Sequence, residues 1–247
     1  MLIDTHLHLV DSDYNIDEVI NRARNNGVNK LIVSGSDLND NFLNIKVLGH
    51  RDNIYFTCGF HPELAGKVTN EDLNKLEELL KNNKVVGVGE IGLDYHYSKE
   101  NKEEQKKLFI KQLKLAVKYN LPIVVHTRDA FLDTYNILKN YNLKGVIHCF
   151  SGSYEVAKQY ISLGYFLGIG GVVTFKNSNL KEIIKKIRIK NIVLETDSPF
   201  LSPYRGEKNE PANVKKVAEF ISDYLDISFT EVSEVTTLNA EKIFNIK

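Results

Sequence analysis

Along this chain, short apolar runs rich in β-branched residues alternate with longer segments whose apolar positions recur every three to four residues. The short runs are Leu2 to Leu7, Lys30 to Ser34, Ile54 to Phe60, Val85 to Glu90, Pro122 to His126, Gly145 to Cys149, Tyr165 to Ile169 and Asn191 to Glu195. Between them the 3.6-residue period predicts helices at Ile16 to Asn26, Glu71 to Lys81, Glu103 to Lys118, Ala130 to Lys139, Tyr154 to Leu163 and Leu180 to Ile187. Pro211 reads as a helix start, giving Pro211 to Tyr224, and a last helix spans Thr230 to Phe244. Regular alternation of this kind predicts βαβ units and a parallel sheet. Eight runs match an α/β fold of the (β/α)8 TIM-barrel type with an extra C-terminal helix, formed by one domain over 1–247. A doubly wound sheet would more often follow its first strand with a Gly-rich phosphate loop, and this first strand runs into His6-Leu7-His8 instead.

Composition narrows the picture. With 247 residues, 43% of them hydrophobic, the chain can bury one large core. Its 32 basic and 32 acidic residues cancel, so bulk attraction will not hold nucleic acid, and an anionic substrate must be gripped locally. Cys58 and Cys149 lie in apolar runs and read as small buried hydrophobes, too few for a disulfide framework. No cationic leader and no apolar run of membrane-spanning length stand out, so the expectation is a cytoplasmic protein with no membrane partner.

The chemistry lies at the ends of the runs. In an extended strand His6 and His8 share a face and can hold one cation. Glu90 ends the fourth run, His126 the fifth and His148 the sixth, while Asp197 follows the eighth. In a barrel these ends converge on one mouth. His, Asp and Glu make up only 39 of 247 residues, so their recurrence at separate strand ends argues for a metal site rather than for unrelated hydrogen-bonded or capping residues. Four histidines and two carboxylates exceed what one tetrahedral ion uses. The expectation is two divalent metal ions, Zn, Mn, Co or Mg, about 3.5–4 Å apart and sharing a carboxylate. Such a centre serves phosphoester and amide hydrolysis alike.

Several blocks resemble the TatD family of metal-dependent deoxyribonucleases, within the amidohydrolase-like barrels: Asp4-Thr5-His6-Leu7-His8, Cys58-Gly59-Phe60-His61-Pro62, Gly89-Glu90-Ile91-Gly92-Leu93-Asp94-Tyr95, His126-Thr127-Arg128-Asp129-Ala130, His148-Cys149-Phe150-Ser151-Gly152 and Glu195-Thr196-Asp197-Ser198-Pro199. The resemblance spans nearly the whole chain. It implies a hydrolase cleaving DNA phosphodiester bonds, typically a 3′-to-5′ exonuclease, with DNA, including single-stranded 3′ ends, as its partner. It places one metal with His6, His8 and Asp197 and the other with His126 and His148. Glu90 would lie between them, and Asp197 would also take a proton from the attacking water.

Substrate-side groups are expected at His61, Tyr95, His96 and Arg205. His61 either meets a phosphate or leaving group or is a loop histidine fixed by Pro62. Tyr95 and His96 either stack on a base or contact phosphate, or serve an ordinary loop. Arg205 lies where barrels often bind phosphate, in a block resembling the family's Arg-Gly-x-x-Asn-Glu-Pro, although Ser198 to Arg205 is slightly shorter than the family pattern and Lys208 stands where arginine is common. Arg128 and Asp129 read as structural neighbours of His126, in a salt bridge or helix cap. Two other readings share the residues: a deacylase of mischarged aminoacyl-tRNA or small-molecule amidohydrolase, and a non-catalytic metal-containing binding protein. A monomer is the default, since no oligomerisation element stands out.

Overall fold

The computed structural model describes residues 1–10, 14–96 and 100–246. All eight apolar runs are strands: β1 (Leu2–Leu7), β2 (Val28–Ser34), β3 (Ile54–Cys58), β4 (Val85–Asp94), β5 (Ile123–Arg128), β6 (Gly145–Ile147), β7 (Phe166–Ile169) and β8 (Ile192–Leu194). They form one sheet in sequence order, and every paired neighbour is parallel. The helices are α1 (Ile16–Asn25), α2 (Leu38–Leu48), α3 (Asn70–Leu79), α4 (Lys102–Tyr119), α5 (Phe131–Leu138), α6 (Tyr154–Ser162), α7 (Leu180–Ile187), α8 (Val214–Leu225) and α9 (Phe229–Phe244). This is the (β/α)8 barrel with an added C-terminal helix.

Three boundaries depart from the sequence pattern. Helix α2 was not predicted, because its inward face carries Asn41 and Asn44, both fully buried, where periodicity requires apolar residues. Asn41 instead satisfies backbone: its Nδ2 donates to Gly59 O at 2.8 Å and its Oδ1 accepts from Gly59 N at 3.3 Å. Strand β4 runs on past Glu90 to Asp94, pairing Gly92 with His126 and Asp94 with Arg128. Pro211 opens a single tight turn, Pro211–Asn213, before α8 begins at Val214.

Each strand sends one side chain into a single apolar layer at the bottom of the barrel: Ile3, Ile32, Tyr55, Val86, Val124, Val146, Phe166 and Val193. Ala240, Ile243 and Phe244 of α9 pack against that layer, so the extra helix plugs the barrel floor. Side chains two residues further along a strand point the same way. Ser34, Thr57, His126, His148 and Glu195 follow the layer at that spacing and make most of the next level polar, although Val88 stands two residues after Val86, and Gly168 leaves room beside the Glu195 carboxylate. A register shift between Asp4 and Leu7 lets β1 place His6 at this level, three residues after Ile3. The larger cluster, including Leu31, Phe56, Leu113, Ile147 and Val217, fills the space between strands and helices.

The barrel seam closes through the segments flanking β1 and β8. Asp197 N donates to His6 O at 3.0 Å and His8 N to Ser198 O at 2.8 Å. The fully buried Asp4 carboxylate accepts from Thr196 N at 2.9 Å and Thr196 Oγ1 at 2.6 Å. Cys58 lies in the core as expected, whereas Cys149, predicted to be buried, is half-buried and lines the mouth, because β6 stops at Ile147 and the chain turns out of the sheet. Among the described residues no helix is long and apolar enough to cross a membrane.

Candidate metal centre

The polar level of the barrel opens into a cavity of about 760 Å³ at the C-terminal ends of the strands. Glu90 is its hub. One carboxylate oxygen, Oε2, lies 3.5 Å from His6 Nε2 and 3.8 Å from His8 Nε2. The other, Oε1, lies 2.8 Å from His126 Nδ1, 3.8 Å from His148 Nε2 and 3.9 Å from His61 Nε2. Asp197 Oδ1 stands 3.7 Å from His6, 3.8 Å from His8 and 3.5 Å from His148. The structure therefore brings His6, His8, Glu90, His126, His148 and Asp197 together, although they come from four strands or their ends, β1, β4, β5 and β6, and from the loop after the eighth.

Local structure fixes each ring. Ser34 Oγ lies 3.0 Å from His6 Nδ1, and the Ser34 carbonyl lies 3.1 Å from His8 Nδ1, leaving both Nε2 atoms facing inward. His148 stacks on His6 with ring centroids 3.5 Å apart. Its Nδ1 lies 3.1 Å from Glu195 Oε1, an oxygen that also accepts from Cys149 N at 2.6 Å. His126 is held on its far side by Asp94, with Nε2 to Oδ2 at 2.9 Å. Asp94 in turn is tied to α4, since its N–H donates to Gln105 Oε1 at 2.8 Å. Asp197 and Cys149 both take left-handed backbone, with φ of 58° and 46°, which turns their segments abruptly after the strand ends.

Charge is tightly partnered here. Burial, then the neighbouring His148, pushes His6 down to about 3, so its imidazole is neutral. Burial also opposes charge on His126 and His148, but the carboxylates around them prevail and hold them up to about 9 and about 10. For His126 those partners are Asp94 and Glu90; for His148 they are chiefly Glu195 and Asp197. Burial raises Asp197 to about 6, whereas the histidines overcome it at Glu90 and keep that carboxyl well below the usual range.

The donor set fits divalent cations. Two ligands at about 2.0–2.1 Å from one tetrahedral ion stand about 3.3–3.5 Å apart, close to the 3.4 Å between His6 Nε2 and His8 Nε2. Three groups of donors lie within 4.8 Å of one another among the described residues: His6, His8 and Glu90; His6, His148 and Asp197; and His61, Glu90 and His126. The second grouping differs from the expected pairing of His126 with His148. Asp94 and Glu90 draw His126 toward His61, while His148 leans over His6 toward Asp197.

The expected substrate residues divide. His61 lies at the cavity with its ring 4.6 Å from that of His126, near enough to act as a further donor. Tyr95 does not face the mouth: it is 4% exposed, and its hydroxyl donates to Asp133 at 2.8 Å. The cause is the continuation of β4, which carries the chain past the rim. His96 lies 3.1 Å from Asp129 on the exposed surface, and Arg205 is exposed in the loop after β8, outside the cavity lining. Arg128 lines the cavity, while Asp129 meets His96 rather than capping a helix. Sequence reasoning missed Asp94 and Glu195 as ring partners. The available signal was their place in the same blocks, four residues after Glu90 and two before Asp197.

Comparison with known proteins agrees along the whole chain. A profile of the family described as TatD related DNase matches residues 3–245. The uncharacterized metal-dependent hydrolase YabD of Bacillus subtilis is 42% identical, with all of both chains covered. Among solved structures, the TatD homologue YJJV of Escherichia coli superposes with a TM-score of 0.93 at 30% identity, covering 100% of this chain and 98% of the other. A TatD family hydrolase from Entamoeba histolytica gives 0.89 at 27% identity, covering 100% and 98%. A buried barrel mouth crowded with imidazole and carboxylate donors and a family match from the first strand to the last helix lead to one conclusion: the chain belongs to the TatD family and is a metal-dependent hydrolase.

Proposed function

We propose that this protein is a divalent-metal-dependent phosphodiesterase that shortens DNA from 3′ ends. The observation that carries the reading is the Glu90 carboxylate, whose two oxygens face different sets of imidazoles: Oε2 toward His6 and His8, Oε1 toward His126, His148 and His61. That arrangement suits a carboxylate shared by two cations, one among His6, His8 and Asp197 and the other beside His126, with His148 or His61 completing it. Bound there, the metals would activate water and neutralise charge developing on a phosphate. The description of the family as DNases supports DNA as the polymer.

The protein's own groups supply the rest. Asp197 reaches the cavity within 3.8 Å of three imidazoles, a place from which its carboxylate can accept a proton from the attacking water. His61, at the cavity and beside Glu90, can donate to a phosphate oxygen or leaving group. Asp94 holds His126 Nε2 at 2.9 Å, which aims Nδ1 toward the Glu90 oxygen 2.8 Å away, the side on which a shared cation would sit.

The test follows an end-labelled single-stranded oligonucleotide with metal-stripped protein resupplied with Mg²⁺, Mn²⁺, Co²⁺ or Zn²⁺, beside Glu90→Ala. Shortening by wild type alone, from the 3′ end, is expected. An unchanged rate in a folded Glu90→Ala variant rejects the shared-carboxylate account. No shortening with any ion moves the reading to ester or amide bonds, beginning with aminoacyl-tRNA.

A further inference from the structure

The loop after β8 carries an apolar tip that no step above uses. Pro199, Phe200 and Leu201 line the cavity together with Val172. Phe200 is 59% exposed, and its ring centroid lies 6.2 Å from that of His8. The backbone beneath it is pinned. Phe200 N donates to Asp197 O at 2.8 Å, and Asn209 N donates to Pro199 O at 3.1 Å. The Asn209 side chain donates to Thr196 O at 2.8 Å and to Phe200 O at 2.6 Å. From the other side Gly171 presses so close that a Cβ there would stand 2.2 Å from Leu201 O. A loop held this firmly, with its aromatic residue left in water beside a candidate ligand, displays that ring by construction.

We propose that Phe200 is the stacking platform for the base of the nucleotide whose phosphate is cleaved; the inference rests on the DNA reading and deepens it. A base hangs from its phosphate through a single sugar, so a phosphate held by a cation among His6, His8 and Asp197 would carry its base to the neighbourhood of Phe200, whose ring lies 6.2 Å from that of His8. Electrostatics leave room for such a contact. The chain has no net charge, and Asp40, Glu63 and Asp94 all line the cavity, so no uniformly basic groove grips the backbone. Stacking gives affinity that depends on neither charge nor base identity. Tyr95, for which stacking was one of the alternatives, is 4% exposed and lies outside the cavity lining.

The experiment compares wild type, Phe200→Ala and Phe200→Tyr on two single-stranded oligonucleotides of equal length, one ending in a normal 3′ nucleotide and one in an abasic 3′ nucleotide. Phe200→Ala is expected to raise KM for the normal end about 5- to 100-fold and to leave the abasic end unchanged, with Phe200→Tyr close to wild type. An equal loss on both ends, or no loss on either, overturns the stacking role while leaving the nuclease intact. Failure of wild type to cut either oligonucleotide with any metal overturns the DNA reading and this inference together.

Discussion

Glu195 is wholly buried, and its Oε2 has no hydrogen-bond partner, while its Oε1 meets both Cys149 N and the His148 ring. A carboxylate kept under such conditions is placed to orient that imidazole, and outer partners of this kind typically contribute about 10–100-fold to metal affinity. Glu195→Gln should therefore weaken divalent-metal binding by about 10–100-fold in titration calorimetry, with the thermal melt little changed. Equal affinity in the variant would remove Glu195 from the machinery. At this scale the candidate donors that gather at the mouth were legible because a histidine or carboxylate at the end of an apolar run is a local pattern. Tyr95 and Phe200 were not. Whether an aromatic side chain faces the mouth or the core depends on where β4 ends and how the loop after β8 is pinned, and neither is written in the neighbouring residues.

Among the elements, the β4–β5 pair governs the site, since it bears Glu90, Asp94 and His126. Gly92 makes the close pairing feasible: its φ is 148°, and a Cβ there would stand 1.9 Å from His126 O. Gly92→Ala should force the strands apart and move His126. A lowered melting temperature together with weakened metal binding is expected. As a control, Gly66→Ala, which shares a positive φ of 84° but meets only Glu104 Cγ at 4.0 Å, should leave metal binding intact. Metal affinity unaltered in Gly92→Ala would show that the ring is positioned by its carboxylates alone. The strands and most helices follow from periodicity. Helix α2 escaped because its buried face carries asparagines, of which Asn41 satisfies the backbone of Gly59, a long-range debt invisible to a pattern of apolar residues.

For the whole molecule, the apolar floor built from all eight strands and plugged by α9 lies below the donors and contains none of them. The core is complete without a cation, so chelation should abolish hydrolysis yet leave a single cooperative melt, shifted down only by the linkage of metal to the folded state. Loss of the cooperative transition or of near-ultraviolet circular dichroism on chelation would instead make the metal part of the fold. The barrel was legible at this scale because eight alternating runs with right-handed crossovers admit few arrangements. The exact donor groupings were not, since they depend on how Asp94 and Glu195 pull their two rings in different directions.

The seam has a consequence for biosynthesis. His6 and His8 are made about 190 residues before Asp197, and the hydrogen bonds that close the barrel join the very segments that carry them. Because chains emerge and fold from the N-terminus onward, no nascent or C-terminally clipped product that lacks the last strand can assemble the full donor set. The candidate donor set is therefore complete only when the first and eighth strands have met.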